Sequence, residues 1–292
     1  MHSQLIAVLV LLSAGIATAL AQDTPLESVI VGGKFAYDVR AGDTVTGVGA
    51  RFGIAAADVI ESNHLVRPDV LVPGQSLRLD NTHLAVIDRR VAMTINIPQR
   101  LLLLAENERV HSYPITVGRK TWPTPVGAFT ILEKEIDPAW DVPVSIQREM
   151  AAQGKPVITR MAPSPRNPLG AHWLRLSLPG LGIHGTNAPS SIYGFASHGC
   201  IRMHPDDVAA LFALVREGTT GVLVYQPVIV AVVGGRIWIE ANPDAYHQAP
   251  GAAQFVRAAA QRHGFAERVD WSAVDMALRL RRGRPVDVTV SE

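Results

Sequence analysis

The chain has 292 residues and one thiol. Cys200 lies in the stretch IHGTNAPSSIYGFASHGCIRMH, residues 183–204, with His184, His198 and His204 around it. Three chemistries fit such a group. A free cysteine can be a small buried hydrophobe. A cysteine with three histidines can hold a tetrahedral zinc ion. A thiol beside an imidazole can also be a nucleophile. An ordinary thiol has a pKa of ~8.5, so little is thiolate at neutral pH unless a neighbouring base takes the proton. His184 ends an apolar run, LGIHG, that reads as a strand, and Cys200 sits in a glycine-preceded turn ahead of a helix. The sixteen residues between them allow a loop to fold back and join the two. Gly199 leaves the thiol open to a substrate carbonyl, and the N–H groups of Gly199 and Cys200 are then available to a developing oxyanion. The zinc pattern is poorer. His198 and Cys200 are two residues apart, no carboxylate stands at ligand spacing, and His204 directly precedes Pro205 at a helix start, as a cap does.

The rest of the sequence gives the thiol its setting. Hydrophobic residues make up 48% and charged residues 18%, the composition of a globular chain. A formal net charge of +1 gives no argument for nucleic acid as a partner. Leu5–Gln22 is an apolar run ending in Ala19-Leu20-Ala21, an export signal with cleavage expected after Ala21. It is shorter than the ~20 apolar residues of a spanning helix, and its leading MHSQ lacks Lys and Arg, so cleavage and retention both stay open. An exported chain with one cysteine has no internal disulfide, and a free thiol there is exposed to oxidation.

Composition and periodicity divide the chain. Residues 1–21 read as the signal and 22–34 as a linker. Residues 35–80 read as β-α-α-β, with Tyr37 and Val39 alternating, then Val45, Val48 and Phe52 at helical spacing, a helix near 55–62, and a closing strand at 76–79. Residues 83–226 are rich in short strands punctuated by Gly and Pro, a mainly β sandwich or barrel. One helix is clear in it, with Pro205 at its first turn, Asp206 and Asp207 behind, and Val208, Leu211, Phe212 and Val215 on one face. Residues 227–292 form a mixed extension, with a hairpin at Gly234-Gly235 and helices near 251–262 and 271–282. Arg279, Arg281, Arg282 and Arg284 read as cations at a helix C-terminus.

Two resemblances follow from particular motifs. The pattern AGDT…RFGI…N…PGQSLRL across Phe35–Asp80 resembles a LysM module, which implies binding to the N-acetylglucosamine-containing glycan of a cell wall. Gly47 and Gly49 depart from that pattern, and each costs about 1 kcal/mol of helix stability. HGTN…SHGCIRM, with TINIPQRLLLL, VGRKTWPTPVGAFTI, DPAWDVPVSI and NPLGAHWLRL, resembles the L,D-transpeptidase catalytic domain family over about His83–Gln226.

The second resemblance implies a cysteine acyl transferase of peptidoglycan, working in the periplasm or cell-wall space without metal or organic cofactor. Cys200 would be the nucleophile and His184 the general base, oriented by the backbone carbonyl of Gly185. His198 and Gly199 would shape the oxyanion and substrate site, with Ser197 and Arg202 at the substrate and the guanidinium holding a carboxylate. The donor would be a tetrapeptide stem ending in D-Ala. The acceptor would be another stem or a wall-attached protein, and carbapenems would form an adduct on Cys200. An L,D-carboxypeptidase acting on the same stems and a non-catalytic LysM wall-binding protein are the competing readings. Ordinary pKa values for imidazole and thiol would place a rising limb of activity near neutral pH. A tethering LysM module would aid retention on the wall and leave turnover of soluble muropeptides unchanged.

Overall fold

The computed structural model describes residues 27–67, 70–107 and 109–290. The export run lies outside them. Among the described residues, no helix is long and apolar enough to cross a membrane.

The chain opens with β1 (Glu27–Val31), β2 (Lys34–Asp38), α1 (Val45–Phe52), α2 (Ala56–Ser62) and β3 (Ser76–Asp80). β2 and β3 pair antiparallel and enclose Val39, Val45, Val48, Ile54, Val59, Leu77 and Leu79, the βααβ unit expected at 35–80. The Thr44 hydroxyl caps α1 by accepting from the Gly47 N–H, and left-handed Gly53 ends it. Gly49 has a steric reason. A Cβ there would lie 2.5 Å from the Ile54 carbonyl oxygen, so the turn into α2 needs a glycine.

Of the linker expected at 22–34, residues 22–26 lie outside the described residues and 27–31 form a strand. β1 pairs along its length with β4 (His83–Ile87), and Val29 and Val31 pack on Ala85, Ile87 and Leu103. Five residues with one apolar face become a strand because a partner edge is waiting.

The barrel begins with β5 (Met93–Asn96), β6 (Leu101–Glu106), β7 (Arg109–Gly118) and β8 (Gly127–Ile136). An excursion follows, with β9 (Trp140–Asp141), α3 (Val144–Ala152) and β10 (Arg160–Met161). The barrel resumes with β11 (His172–Leu176), β12 (Gly182–His184), β13 (Phe195–Ser197), β14 (Ile201–Met203), α4 (Pro205–Leu214) and β15 (Thr220–Val224). The strand order is β13-β7-β14-β12-β11-β8-β15-β5-β6, and β6 also pairs with β7, which closes the sheet. Met93, Ile95, Ile115, Phe129, Ile131, Leu174, Ile183 and Ile201 fill the interior, with Val208 and Leu211 of α4 against them. It is a packed core, as a barrel of this size allows.

The extension holds β16 (Val228–Val233), β17 (Arg236–Ala241), α5 (Ala252–Arg262), α6 (Trp271–Leu280) and β18 (Pro285–Asp287) around its own core. The hairpin turns through Gly234 and Gly235, both at positive φ.

The N-terminal module is docked. Arg51 Nη1 lies 2.9 Å from each carboxylate oxygen of Asp207 at the start of α4, and Ala50 packs with Ile192 and Tyr193. Arg282 and Arg284, expected only as cations at a helix end, reach across to Asp58 of α2 at 3.2 and 3.3 Å, and Arg282 also pairs with Glu61. At the junction, His83 Nδ1 is 3.2 Å from Glu240 Oε1 and Nε2 is 3.1 Å from the Gly53 carbonyl. Both contacts need a ring N–H. Burial disfavours the charge, yet Glu240 and the carbonyl prevail and raise the His83 pKa.

Candidate active site

The strand register assembles the site. β12 and β14 run parallel, with Ile183 opposite Ile201 and His184 opposite Arg202. On the other side of β12, Trp173 stands opposite His184, and Glu135 of β8 opposite Trp173. Paired residues share a face, so Glu135, Trp173, His184 and Arg202 form one row across four strands. Cys200 lies two residues before Arg202 at the mouth of β14, and period-two alternation turns it to the same side. A cleft of about 840 Å³ is lined by Trp122, Trp140, Trp173, His184, Ser197, His198, Cys200 and Arg202.

His184 is buried, and its Nδ1 lies 2.7 Å from the Gly185 carbonyl oxygen. Only a protonated nitrogen makes that contact, so the neutral ring keeps its lone pair on Nε2. Burial pulls its pKa down to about 4, helped by Arg202 and opposed by the carbonyls of Gly185 and Leu169. Cys200 is half-buried, with Sγ 3.6 Å from the Gly180 carbonyl. Burial pushes the thiol up, while the Gly182 N–H and Arg202 pull it down. At neutral pH the pair rests as imidazole and thiol. A dry environment refuses the imidazolium, so an activity limb set by His184 would be expected at acid rather than near-neutral pH.

The loop before Cys200 is tightly bonded. Gly199 has φ +110°, a conformation that favours glycine. Its N–H donates to Ser197 Oγ at 3.1 Å, and that hydroxyl donates to the Cys200 carbonyl at 2.6 Å. The Gly199 N–H, expected to help shape the oxyanion site, is engaged by Ser197 Oγ inside the loop. Ser197, expected at the substrate, borders the cleft with its side chain buried and its hydroxyl engaged inside the loop.

His198 Nε2 lies 2.6 Å from Glu149 Oε2 on α3, and Arg119 Nη2 lies 2.6 Å from the other carboxylate oxygen. Hydrogen bonding to His198, then to Arg119, holds the Glu149 carboxyl below the usual range. The Trp122 ring meets His198 edge-on at 5.2 Å. Arg202 Nη1 donates to Ser191 Oγ at 3.0 Å, and its Nε is buried without a protein partner. His204 caps α4, its Nδ1 accepting from the Asp206 N–H at 3.3 Å. Among the described residues, no three His, Cys, Asp or Glu side chains are grouped as metal ligands.

Sequence reasoning brought Cys200, His184, His198 and Arg202 to one cleft and missed others. Trp173, inside NPLGAHWLRL, carries no sequence signal of its place in the site. Its ring covers Gly182, where a Cβ would come within 2.2 Å of it, and lies 5.8 Å from the His184 ring. Glu149, Arg119 and Thr124 gave no spacing signal.

A closed β-barrel presents a cysteine and a buried histidine on one cleft and is joined to a βααβ module. The YkuD family, the L,D-transpeptidase catalytic domain, matches residues 90–230, and the LysM domain matches 37–80. The Bacillus licheniformis protein YkuD, which carries an L,D-transpeptidase name, is 34% identical over 185 residues, covering 63% of this chain and 94% of that one. YcfS of Escherichia coli K12, named likewise, is 28% identical over 276 residues, covering 90% and 86%. An L,D-transpeptidase structure from Mycobacterium smegmatis aligns with 69% of this chain and 100% of its own, at 19% identity and a TM-score of 0.37; the assignment rests on the sequence relatives. The chain belongs to the YkuD family of L,D-transpeptidases and is an enzyme of that type, with an N-terminal LysM domain.

Proposed function

We propose that this enzyme is a cysteine acyl transferase acting on peptidoglycan stems outside the cytoplasm. One observation carries the reading. His184 is held neutral, with its Nδ1–H on Gly185 and the ring's lone pair left on Nε2, in the cleft that also presents Cys200. His184 takes the thiol proton as Sγ attacks the carbonyl that precedes the terminal D-Ala. The Cys200 N–H receives the oxyanion. The C–N bond to D-Ala breaks as the imidazolium returns the proton to the leaving amine, and a thioester remains. An acceptor amine then attacks the thioester, loses its proton to His184, and restores the thiol. The resting pair is a neutral base and a neutral thiol, so the proton moves to His184 as the Sγ–C bond forms and the S–H becomes more acidic.

Arg202 holds a stem carboxylate, consistent with a buried Nε that no protein group satisfies. His198 borders the substrate under the hold of Glu149. Family and LysM domain both support peptidoglycan as the partner, with a stem amine or a lysine of a wall-attached protein as acceptor. The test is mass spectrometry of purified tetrapeptide muropeptides after incubation with the full chain. Free D-Ala with cross-linked dimer supports transfer. Tripeptide without dimer means that water is the acceptor and the enzyme is an L,D-carboxypeptidase. Equal turnover by Cys200→Ala overturns the reading.

A further inference from the structure

We propose that Tyr246, in the extension beyond the barrel, is a positioning residue that sets the direction of the Cys200 N–H. The observation is a relay of hydrogen bonds with matched donors and acceptors. The Tyr246 hydroxyl donates to the Gly118 carbonyl at 2.6 Å and accepts from the Thr124 N–H at 3.1 Å. Thr124 Oγ1 accepts from the Gly118 N–H at 2.8 Å and donates to the Gly199 carbonyl at 2.7 Å. That carbonyl and the Cys200 N–H belong to one peptide group. A trans peptide is planar, so fixing its oxygen fixes the opposite direction of its N–H. The group that receives the oxyanion is thereby aimed from behind, through Thr124, by a residue outside the segment that matches the catalytic-domain family.

The surroundings of Tyr246 are built to present it. Its own N–H donates to the Tyr225 hydroxyl at 2.9 Å, and Tyr225 donates to Asp244 Oδ1 at 2.7 Å. Asp244 also receives the N–H groups of Gln248 at 3.0 Å and Ala249 at 3.3 Å, which closes the turn around Tyr246. The ring stacks on Tyr225 at 5.4 Å and meets Phe195, at the start of the Cys200 loop, edge-on at 6.1 Å. The turn it braces is tight, since a Cβ on Gly118 would lie 2.0 Å from the Trp122 carbonyl oxygen. Without the hydroxyl, one backbone carbonyl and one N–H of that turn lose their partner, and Thr124 loses its seat.

Tyr246→Phe keeps both ring contacts and removes only the relay. The full chain is compared with the variant in two reactions of Cys200. Acylation by a carbapenem passes through an oxyanion, whereas alkylation by iodoacetamide does not. The expected result is acylation about tenfold slower with alkylation within twofold of wild type at each pH. Thr124→Val is expected to do the same, Thr124→Ser to retain most of the rate, and the Tyr246→Phe/Thr124→Val pair to be no worse than Thr124→Val alone. Unchanged acylation, or equal slowing of both reactions, overturns the proposal. The kinetic arm rests on the acyl-transfer reading, and failure of wild type to acylate where iodoacetamide still labels Cys200 would sink that reading alone. Hydrogen exchange then decides for Tyr246 by itself. Faster exchange across residues 197–203 in Tyr246→Phe sustains the relay, and unchanged exchange refutes it.

Discussion

His184 and Arg202 face each other across the parallel strands β12 and β14, and the guanidinium adds to burial in keeping the imidazole neutral. Burial is the larger cause and the charge the smaller. Arg202→Met removes the charge and keeps much of the bulk, so the His184 pKa should rise toward its ordinary value. NMR titration of the imbedded ring, followed through its carbon-bound protons, reads this without any substrate. An unmoved titration would assign the whole depression to burial.

The same depression links His184 to stability. Its folded pKa of about 4 lies below the ordinary imidazole value of 6.5. Between those values the unfolded chain takes up a proton that the buried ring refuses, so stability should fall as pH drops from about 6.5 toward 4. The loss is on the order of 3 kcal/mol for this one group. His184→Gln should lack this contribution. Urea unfolding at pH 7 and pH 4.5 gives the test. The wild type should lose more stability between the two than the variant, and equal losses would contradict a buried neutral ring.

Much of this was legible in the sequence, for reasons of period and type. The βααβ module shows its alternation and its helical spacing within fewer than fifty residues. Cys200, Gly199 and His184 stand out because a lone thiol behind an expected export signal has no evident structural duty. Other features depend on partners far along the chain. The grip of Arg282 on Asp58 spans 224 positions, and no local pattern announces it. Helix α3 buries none of its residues, so VSIQREMAA carries no apolar stripe. Trp173 acquires its role only from the strand register that lays it over Gly182.

The docked LysM domain changes what its removal should do. A tether would leave soluble substrates unaffected. Here α1 packs against Ile192 and Tyr193, and the adjoining Ser191 receives Arg202 of the cleft. Deleting Phe35–Asp80 should therefore lower turnover of small soluble muropeptides as well as retention on insoluble wall. Arg51→Ala is the milder probe. Its guanidinium is about one-third exposed, so loss of the Asp207 pair should cost about 1 kcal/mol after solvent screening. Calorimetry should show a Tm lower by roughly 2–4 °C. Unchanged soluble turnover on deletion would restore the tether.

Gly182 is where packing and chemistry meet. A Cβ there would come within 2.2–2.5 Å of three atoms of the Trp173 ring, a distance the indole cannot accept without moving. That ring lies beside His184, and its cover contributes to the dry setting that keeps the imidazole neutral. Gly182→Ala should therefore act twice. Overpacking should destabilise the fold by about 1–3 kcal/mol. Displacing the indole should admit water to His184 and raise its pKa, moving the acid limb of acylation to higher pH. Tryptophan fluorescence should report the displaced ring and NMR the titration. Gly182→Ala combined with Trp173→Leu separates the two effects, because the smaller side chain makes room for the methyl group. The double variant should regain stability while the His184 titration stays raised. A double variant with both restored would show that Trp173 obstructs Gly182→Ala sterically and has no part in setting the charge state of His184.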